Sequence, residues 1–228
     1  MKHDPEVGIC ILHTSLVHIE WAMNTYSLLR DTANSFKVVL MTNTPYDTAR
    51  EVATREFLKK KSRYVFHLDS DVLPPSTAIN ELIRVSKEYR VPVVSGVFWA
   101  RKAEGKMACA WKKTDHGFEP FDIKPFMEPI DGHYSLLEAD AVGAGCLLID
   151  TSVLRKLDKS DKNKAFFEWG FGRKYPDGSK PLQYSEDFNF CNRLVDELGV
   201  HPMVYTGVQC GHICQTVKRP KDGEYELI

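Results

Sequence analysis

The chain has 228 residues, with 30 basic and 31 acidic side chains and a formal net charge of −1. That length suits one sizeable domain or two small ones, and a chain 43% hydrophobic and 27% charged has the make-up of a globular protein. The even charge balance gives no support to bulk binding of nucleic acid or of an anionic membrane surface. The N-terminal MKHDPEVG lacks the apolar core of a secretion signal, and VPVVSGVFWA (residues 91–100), the longest apolar candidate, is strand-sized, so no transmembrane segment is expected. Most of the six cysteines lie in apolar runs and read as reduced buried thiols, which points to a cytoplasmic protein.

In chain order, VGICILHT (7–14) reads as a strand and VHIEWAMNTYSLLR (17–30) as a helix with Val17, Trp21 and Leu28 near one face. FKVVLMT (36–42) is a second strand, and TPYDTAREVATREFLKKK (44–61) a second helix with Thr44 as N-cap and Pro45 in its first turn. RYVFHL (63–68) is a third strand, PSTAINELIRVSKEYR (75–90) a helix with Ile79, Leu82 and Ile83 inward, and VPVVSGVFW (91–99) a fourth strand. This alternation predicts an α/β fold with a mostly parallel central sheet, helices on both faces, and ligands beyond the C-terminal strand ends. Then MACAW (107–111) reads as a short strand, 112–135 as a long irregular stretch, and LLEADAVGAGCLLID (136–150) as strand around a small-residue centre. Residues 158–184 are irregular and aromatic. SEDFNFCNRLVDELG (185–199) is a helix with Phe188, Cys191, Val195 and Leu198 on one face and Gly199 as C-cap. No linker separates domains. The reading is one domain: a nucleotide-binding half (1–100), an acceptor and catalytic half (101–217) and a short tail (218–228).

Four short elements carry candidate chemistry. HLDSDVLPP ends an apolar run in two aspartates, Asp69 and Asp71, flanking Ser70. Like charges at a buried strand end repel and need compensation. On an extended segment both would face one side, where a hard divalent cation binds carboxylate oxygen. The same residues also suit an ordinary turn or helix cap. The acids Glu186 and Asp187 open the last helix, where they favour the helix dipole and where a carboxylate can also act as a general base. His212, in CGHIC (210–214), reads as a further Mn²⁺ ligand, as part of a zinc site with Cys210 and Cys214, or as a satisfied buried histidine. Gly143, Ala144 and Gly145 weaken a strand unless a sugar, a phosphate or another packed element approaches the backbone.

The ordered set ICILHT…HIEWAMNTYSLL, HLDSDV, EADAVGAGCLLID, SEDFNFCNRL and GHI resembles the GT-A (Rossmann-like) class of nucleotide-sugar glycosyltransferases, especially the family 2-like inverting enzymes, over roughly residues 7–213. His13-Thr14-Ser15 departs from the proline-threonine-tyrosine-like turn of many relatives. The resemblance implies a nucleoside-diphosphate sugar donor of UDP, GDP or dTDP type, a glycan or other hydroxyl acceptor, and a Mn²⁺ or Mg²⁺ cofactor. Asp71 would be the main metal ligand and His212 would complete the site. Asp69 would touch the metal through water, or the donor together with Ser70 and the 143–145 turn. Asp187 would be the catalytic base, with Glu186 the second candidate.

By position, the ends of the first two strands offer Thr14, Ser15, Thr42 and Asn43 to the nucleotide, and Arg101 offers a fork to phosphate. In FFEWGFGRKY (166–175), Trp169 and Phe171 are candidate walls for the acceptor. The competing readings are a sugar-nucleotide-binding domain without turnover, a metal-independent two-carboxylate glycoside hydrolase, and a nucleotidyltransferase. The last is disfavoured because ILHTSLVHIE has neither glycine nor lysine.

Overall fold

The computed structural model describes residues 4–99, 107–115, 117–160, 164–171 and 183–213. β1 (Val7–His13) is buried along almost its whole length, as expected of an apolar run covered on both faces. α1 (Ile19–Asp31) begins later than the pattern predicts, because His18 caps it by accepting the Glu20 N–H at Nδ1. Val17 therefore precedes the helix and is 40% exposed, while Trp21 and Leu28 turn inward. β2 (Phe36–Thr42) follows, then α2 (Tyr46–Lys59). Pro45, not Thr44, stands at the cap of α2, and the Thr44 hydroxyl instead donates to the Thr42 carbonyl at 3.1 Å.

β3 (Tyr64–Asp69), β4 (Val72–Leu73), α3 (Ala78–Tyr89) and β5 (Val93–Val97) complete the first half, with Ile79, Leu82 and Ile83 buried as the periodicity requires. The stretch expected to be irregular after residue 111 holds a hairpin, β6 (Ala110–Thr114) and β7 (Gly117–Pro120), and a 3₁₀ turn at Lys124–Phe126.

The small-residue segment is three strands, β8 (Leu136–Glu138), β9 (Ala141–Val142) and β10 (Cys146–Asp150), interrupted by the turn at residues 143–145. α4 (Thr151–Ser160) had no counterpart in the pattern reading; Val153, Leu154 and Leu157 give it an inner face. β11 (Gly170–Phe171) pairs with β12 (Gln183–Tyr184). α5 (Glu186–Leu198) ends at Gly199 in the left-handed conformation, φ 63°, as expected. Its most buried apolar residues are Phe190, Cys191 and Leu194, so the inner face is rotated from the predicted one. β13 (Met203–Gln209) and β14 (Gly211–His212) close the described chain.

The central sheet has seven strands in the order β2-β1-β3-β10-β5-β13-β8. Strands β2, β1, β3, β5 and β13 run one way, and β10 and β8 run against them. Alternate residues of each strand enter two cores. Cys10, Leu12, Val65 and Leu147 meet α2, α4 and α5 on one face. Val7, Ile9, Ile11, Phe66 and Leu148 meet α1 and α3 on the other. Among the described residues no helix is long and apolar enough to cross a membrane.

Where β1 meets α2 the packing depends on a missing side chain. A Cβ at Gly8 would lie 2.2 Å from Cγ of Phe57. Gly8→Ala is expected to lower stability by about 1–3 kcal/mol through overpacking, read as a lower urea midpoint at unchanged slope.

Candidate active site

The β1–β2 and β1–β3 registers bring three strand ends to one rim, with His13 opposite Thr42 and Leu12 opposite Asp69. There the expected nucleotide-contact residues form one hydrogen-bonded group. Asn43, at φ 49°, accepts the Ser15 N–H at 3.0 Å and donates to the Ser15 hydroxyl at 2.5 Å. The Thr42 hydroxyl pairs with His13 Nε2 at 2.8 Å, and the Thr14 hydroxyl donates to the Leu16 carbonyl at 2.6 Å. His13 belongs to this group although sequence reasoning did not single it out.

The two aspartates do not lie on one extended segment. β3 ends at Asp69, and Ser70 and Asp71 form a turn before β4. The Asp69 backbone is fixed on both sides: its N–H donates to the Gly145 carbonyl at 3.1 Å, and its carbonyl accepts Trp21 Nε1 at 2.9 Å. Asp71 belongs to a different contact. β14 pairs antiparallel with β4, and the Ile213 N–H donates to the Asp71 carbonyl at 2.7 Å. His212 Nε2 thereby stands 3.5 Å from Asp71 Oδ2. His212 Nδ1 lies 2.5 Å from the Trp99 carbonyl, which accepts a hydrogen bond only if Nδ1 carries the proton. In the neutral ring this leaves the Nε2 lone pair toward Asp71, the tautomer a metal-ligating histidine uses.

The compensating charge beside Asp69 comes from the protein itself. Arg50 of α2 is 2% exposed, and its guanidinium reaches three segments. Nη2 donates to Asp69 Oδ1 at 2.7 Å, Nε to Glu186 Oε1 at 3.2 Å, and Nη1 to the Ala144 carbonyl at 3.2 Å. Burial alone would pull its pKa down, but Asp69, Glu186 and Asp187 outweigh it and hold the pKa raised. Sequence reasoning missed Arg50. The available signal was an arginine on the apolar stripe of α2, in phase with Ala53, Thr54 and Phe57.

The glycine turn is shaped by packed protein. A Cβ at Gly143 would meet Phe98 Cζ at 2.8 Å, and one at Gly145 would meet Val72 at 2.9 Å and Asp69 Oδ2 at 3.2 Å. Packed side chains therefore approach this backbone at both glycines. Phe98 also sets its ring edge-on to His212, with centroids 5.8 Å apart.

At the start of α5 the two acids differ. Glu186 is buried on Arg50, and its pKa is raised, first by burial and then by Asp187, against the pull of Arg50. Asp187 is half-buried; Oδ1 accepts the Ser185 hydroxyl and, at 2.9 Å, the Phe188 N–H. Ser185 thus spends its hydroxyl on Asp187 and makes no side-chain cap. Around Phe188, the residue after Asp187, lies a run of half-buried rings, unnoticed in the sequence: Trp111 and Phe118 on the β6–β7 hairpin against Phe188, with Tyr184 against Phe118. Trp169 is 47% exposed and flanks α5, since the preceding Glu168 carbonyl accepts Asn189 Nδ2 at 3.1 Å. Of Phe171 only the backbone in β11 is described, and Arg101 and Cys214 lie outside the described residues.

Among the described residues no group of three or more His, Cys, Asp or Glu side chains is gathered to hold a metal ion. Of the expected trio of Asp71, Asp69 and His212, the structure brings Asp71 and His212 together as a pair 3.5 Å apart, and Asp69 is ion-paired through Oδ1 with Arg50. The donor types of that pair, one carboxylate and one imidazole, fit Mn²⁺, with remaining positions left to phosphate oxygen and water. Thiolate chemistry is disfavoured, since burial first of all pushes the Cys10, Cys109 and Cys191 thiols up to about 12.

No protein-family model matches the chain, and no curated protein does. Solved structures do. A197 from STIV superposes with a TM-score of 0.54 at 14% identity, over 95% of this chain and 99% of that one. GalNAc-T7, solved with UDP, GalNAc and Mn²⁺, superposes with a TM-score of 0.51 at 11% identity, over 93% of this chain and 44% of that one. The fold is GT-A-like. At such identities the likeness shows the fold alone, and the chain spans under half the length of the GalNAc-T7 chain.

Helix α5, which carries the acids, is clamped at its far end. Arg193 Nε donates to Glu197 Oε1 at 2.8 Å, the Ser160 hydroxyl to Glu197 Oε2 at 2.5 Å, and Arg193 also reaches the Ala165 carbonyl. Arg193 first of all lowers the Glu197 pKa from 4.5 to about 2. A depressed carboxylate stabilises above its unfolded pKa and loses that contribution as pH falls through its folded value. The melting-temperature gap between wild type and Glu197→Gln should be full above about pH 4.5 and close on acidification toward pH 2.

Proposed function

We propose that the protein transfers a sugar from a nucleoside-diphosphate sugar to an acceptor hydroxyl, with a divalent metal and with inversion at the anomeric carbon. The GT-A-like fold supports this reading. The observation that carries it is the pairing of Asp71 with a histidine whose Nδ1 is committed to a carbonyl, on the rim that also holds the 143–145 turn.

In this reading the His13–Ser15 and Thr42–Asn43 group receives the nucleoside, and Asp71 with His212 Nε2 holds the cation. When bound, Mn²⁺ or Mg²⁺ supplies Lewis-acid stabilisation of the charge that grows on the leaving diphosphate. Asp187 is the base. Its Oδ1 is pinned by two donors, so proton uptake falls to Oδ2. It takes the acceptor O–H proton as that oxygen bonds to the anomeric carbon and the bond from that carbon to the diphosphate oxygen breaks, displacing the nucleoside diphosphate. Glu186 is not the base here, because its carboxylate is spent on Arg50. Trp169 and the rings around Phe188 line the approach of the acceptor.

Calorimetric titration of UDP, GDP and dTDP with Mn²⁺ and then with EDTA tests the donor site. One nucleotide is expected to bind in Mn²⁺ only, and Asp71→Asn should weaken it about tenfold or more. Asp187→Asn should keep nucleotide affinity and lose on the order of 10²–10⁴-fold in turnover. Binding that ignores EDTA, or no binding of any of the three, overturns the reading. Metal-dependent binding without turnover on any acceptor would favour the binding-domain alternative.

A further inference from the structure

We infer that β2 is a docking edge for a second copy of this chain, and that two copies join by antiparallel pairing of β2 with β2 about a two-fold axis at Val39. The inference rests on neither the metal reading nor the proposed reaction.

The two edges of the central sheet are built differently. β8, at one edge, has three residues and ends in the charged Glu138. Short strands and charges keep an edge from pairing with another chain. β2, at the other edge, has seven residues, FKVVLMT, with one charge and no proline. Its register on β1 runs unbroken from Phe36 to Thr42, so no bulge twists it away. The bonds at its two ends fix which groups face out. The Val7 N–H donates to the Ser35 carbonyl and the Asn43 N–H to the His13 carbonyl, each at 3.0 Å. Ser35, Lys37, Val39, Met41 and Asn43 therefore aim their backbone at β1, and Phe36, Val38, Leu40 and Thr42 aim theirs outward. Among the described residues the outward N–H and carbonyl groups of Phe36, Val38 and Leu40 have no partner, and the Thr42 carbonyl accepts the Thr44 hydroxyl.

The side chains along this edge are apolar as well. Phe36 is 38% and Leu40 60% exposed, while Val38 between them packs against the core that Ala22 and Leu29 of α1 also meet. On the opposite face Val39 and Met41 pack against the core that holds Ala49, Ala53 and Phe57 of α2. The helices on the two faces are apolar on their outer surfaces too: α1 exposes Ile19, Met23 and Tyr26, and α2 exposes Val52. Unpaired backbone in line with exposed apolar side chains marks an interaction surface.

Self-complementarity selects a second copy as the occupant. Centred on Val39, the antiparallel register sets Phe36 opposite the partner's Thr42 and Val38 opposite the partner's Leu40. Every outward residue then meets an outward residue, and the pairs exchange about eight hydrogen bonds. Lys37 falls opposite the partner's Met41. The two lysines then stand about 14 Å apart along the strands, beyond the screening length of about 8 Å at physiological salt. The size is sufficient. Seven residues make an edge about 23 Å long, and a sheet with a helix about 10 Å across on each face is about 30 Å thick. The product, about 700 Å² per copy, approaches the ~800 Å² per partner of a standard interface. Because the two strands run oppositely, the rims at their C-terminal ends point in opposite directions.

Sedimentation velocity of the full chain over a range of concentrations reads the mass, one copy being 26.0 kDa. The wild type is expected to sediment at twice that mass. Leu40→Lys keeps the bonds to β1 and sets an ammonium against the partner's Val38. It should weaken association at least about tenfold with unchanged circular dichroism. Val39 lies on the axis in a non-hydrogen-bonded pair, with Cα atoms about 4.5 Å apart, inside the ~4.4–6.8 Å span of a disulfide. Diamide should therefore convert Val39→Cys to a covalent dimer. Val38→Cys, two residues out of register with its own copy, and the wild type with its native cysteines should stay uncrosslinked.

A wild type that remains at 26.0 kDa at every concentration overturns the inference. In that monomer, slow solvent exchange of the Leu40 amide would show the edge covered by another segment of the same chain. Where Leu40→Lys folds, its dissociation and the crosslink specific to Val39 are both required, and the absence of either overturns the inference. Should Leu40→Lys not fold, the contrast between Val39→Cys and Val38→Cys decides alone.

Discussion

The site depends on one buried cation. Taking the Arg50 guanidinium out of water costs several kcal/mol, and only close, well-aimed acceptors offset that. Three are present, on the end of β3, on the 143–145 turn and at the start of α5. They are distant in sequence; backbone pairing already joins the end of β3 to the 143–145 turn, and the cation ties the start of α5 to both. The contribution is asymmetric. A well-packed apolar replacement of all partners is tolerable in principle, whereas loss of the cation alone strands Asp69 and Glu186 in a low-dielectric setting.

That cation also divides two similar pairs of acids. Within each pair one carboxylate, Asp69 or Glu186, is tied to Arg50, and the other, Asp71 or Asp187, has different contacts. The same economy appears at His212, where the Trp99 carbonyl takes Nδ1 and turns Nε2 to Asp71. Arg50 and the Trp99 carbonyl thus fix the contacts of the candidate site residues around them.

Much of the sheet was legible because central strands covered on both faces must be continuous apolar runs, and β1, β3 and β5 are. The capping glycine of α5 was legible for a similarly local reason. The hairpin after residue 110 was not, since its strands are half-exposed and lack a clean alternation. α4 was hidden by following β10 without a break, its first residue adjoining Asp150. Among the candidate site residues, Asp71 and His212 meet across β4 and β14. Asp69 reads identically in sequence but is ion-paired with Arg50, whose helix otherwise carries charges that look like an ordinary solvated face. An arginine on an apolar stripe signals burial, but its partners depend on long-range packing that no local pattern encodes.

Strand direction explains why these residues share a rim at all. In an open α/β sheet the chemistry gathers beyond the C-terminal ends of parallel strands, which accounts for His13, Thr42 and Asp69. It would exclude the 143–145 turn if β10 were parallel too. β10 instead runs against β3, with Cys146 opposite Leu68 and Asp150 opposite Tyr64. Its beginning, not its end, therefore lies beside Asp69, and the turn that precedes it is delivered to the same rim. β13 is parallel to β5, so its end reaches that rim as well and carries β14 with His212 onto β4. One reversed strand between two parallel ones is thus what brings the 143–145 turn to the rim that holds Asp69.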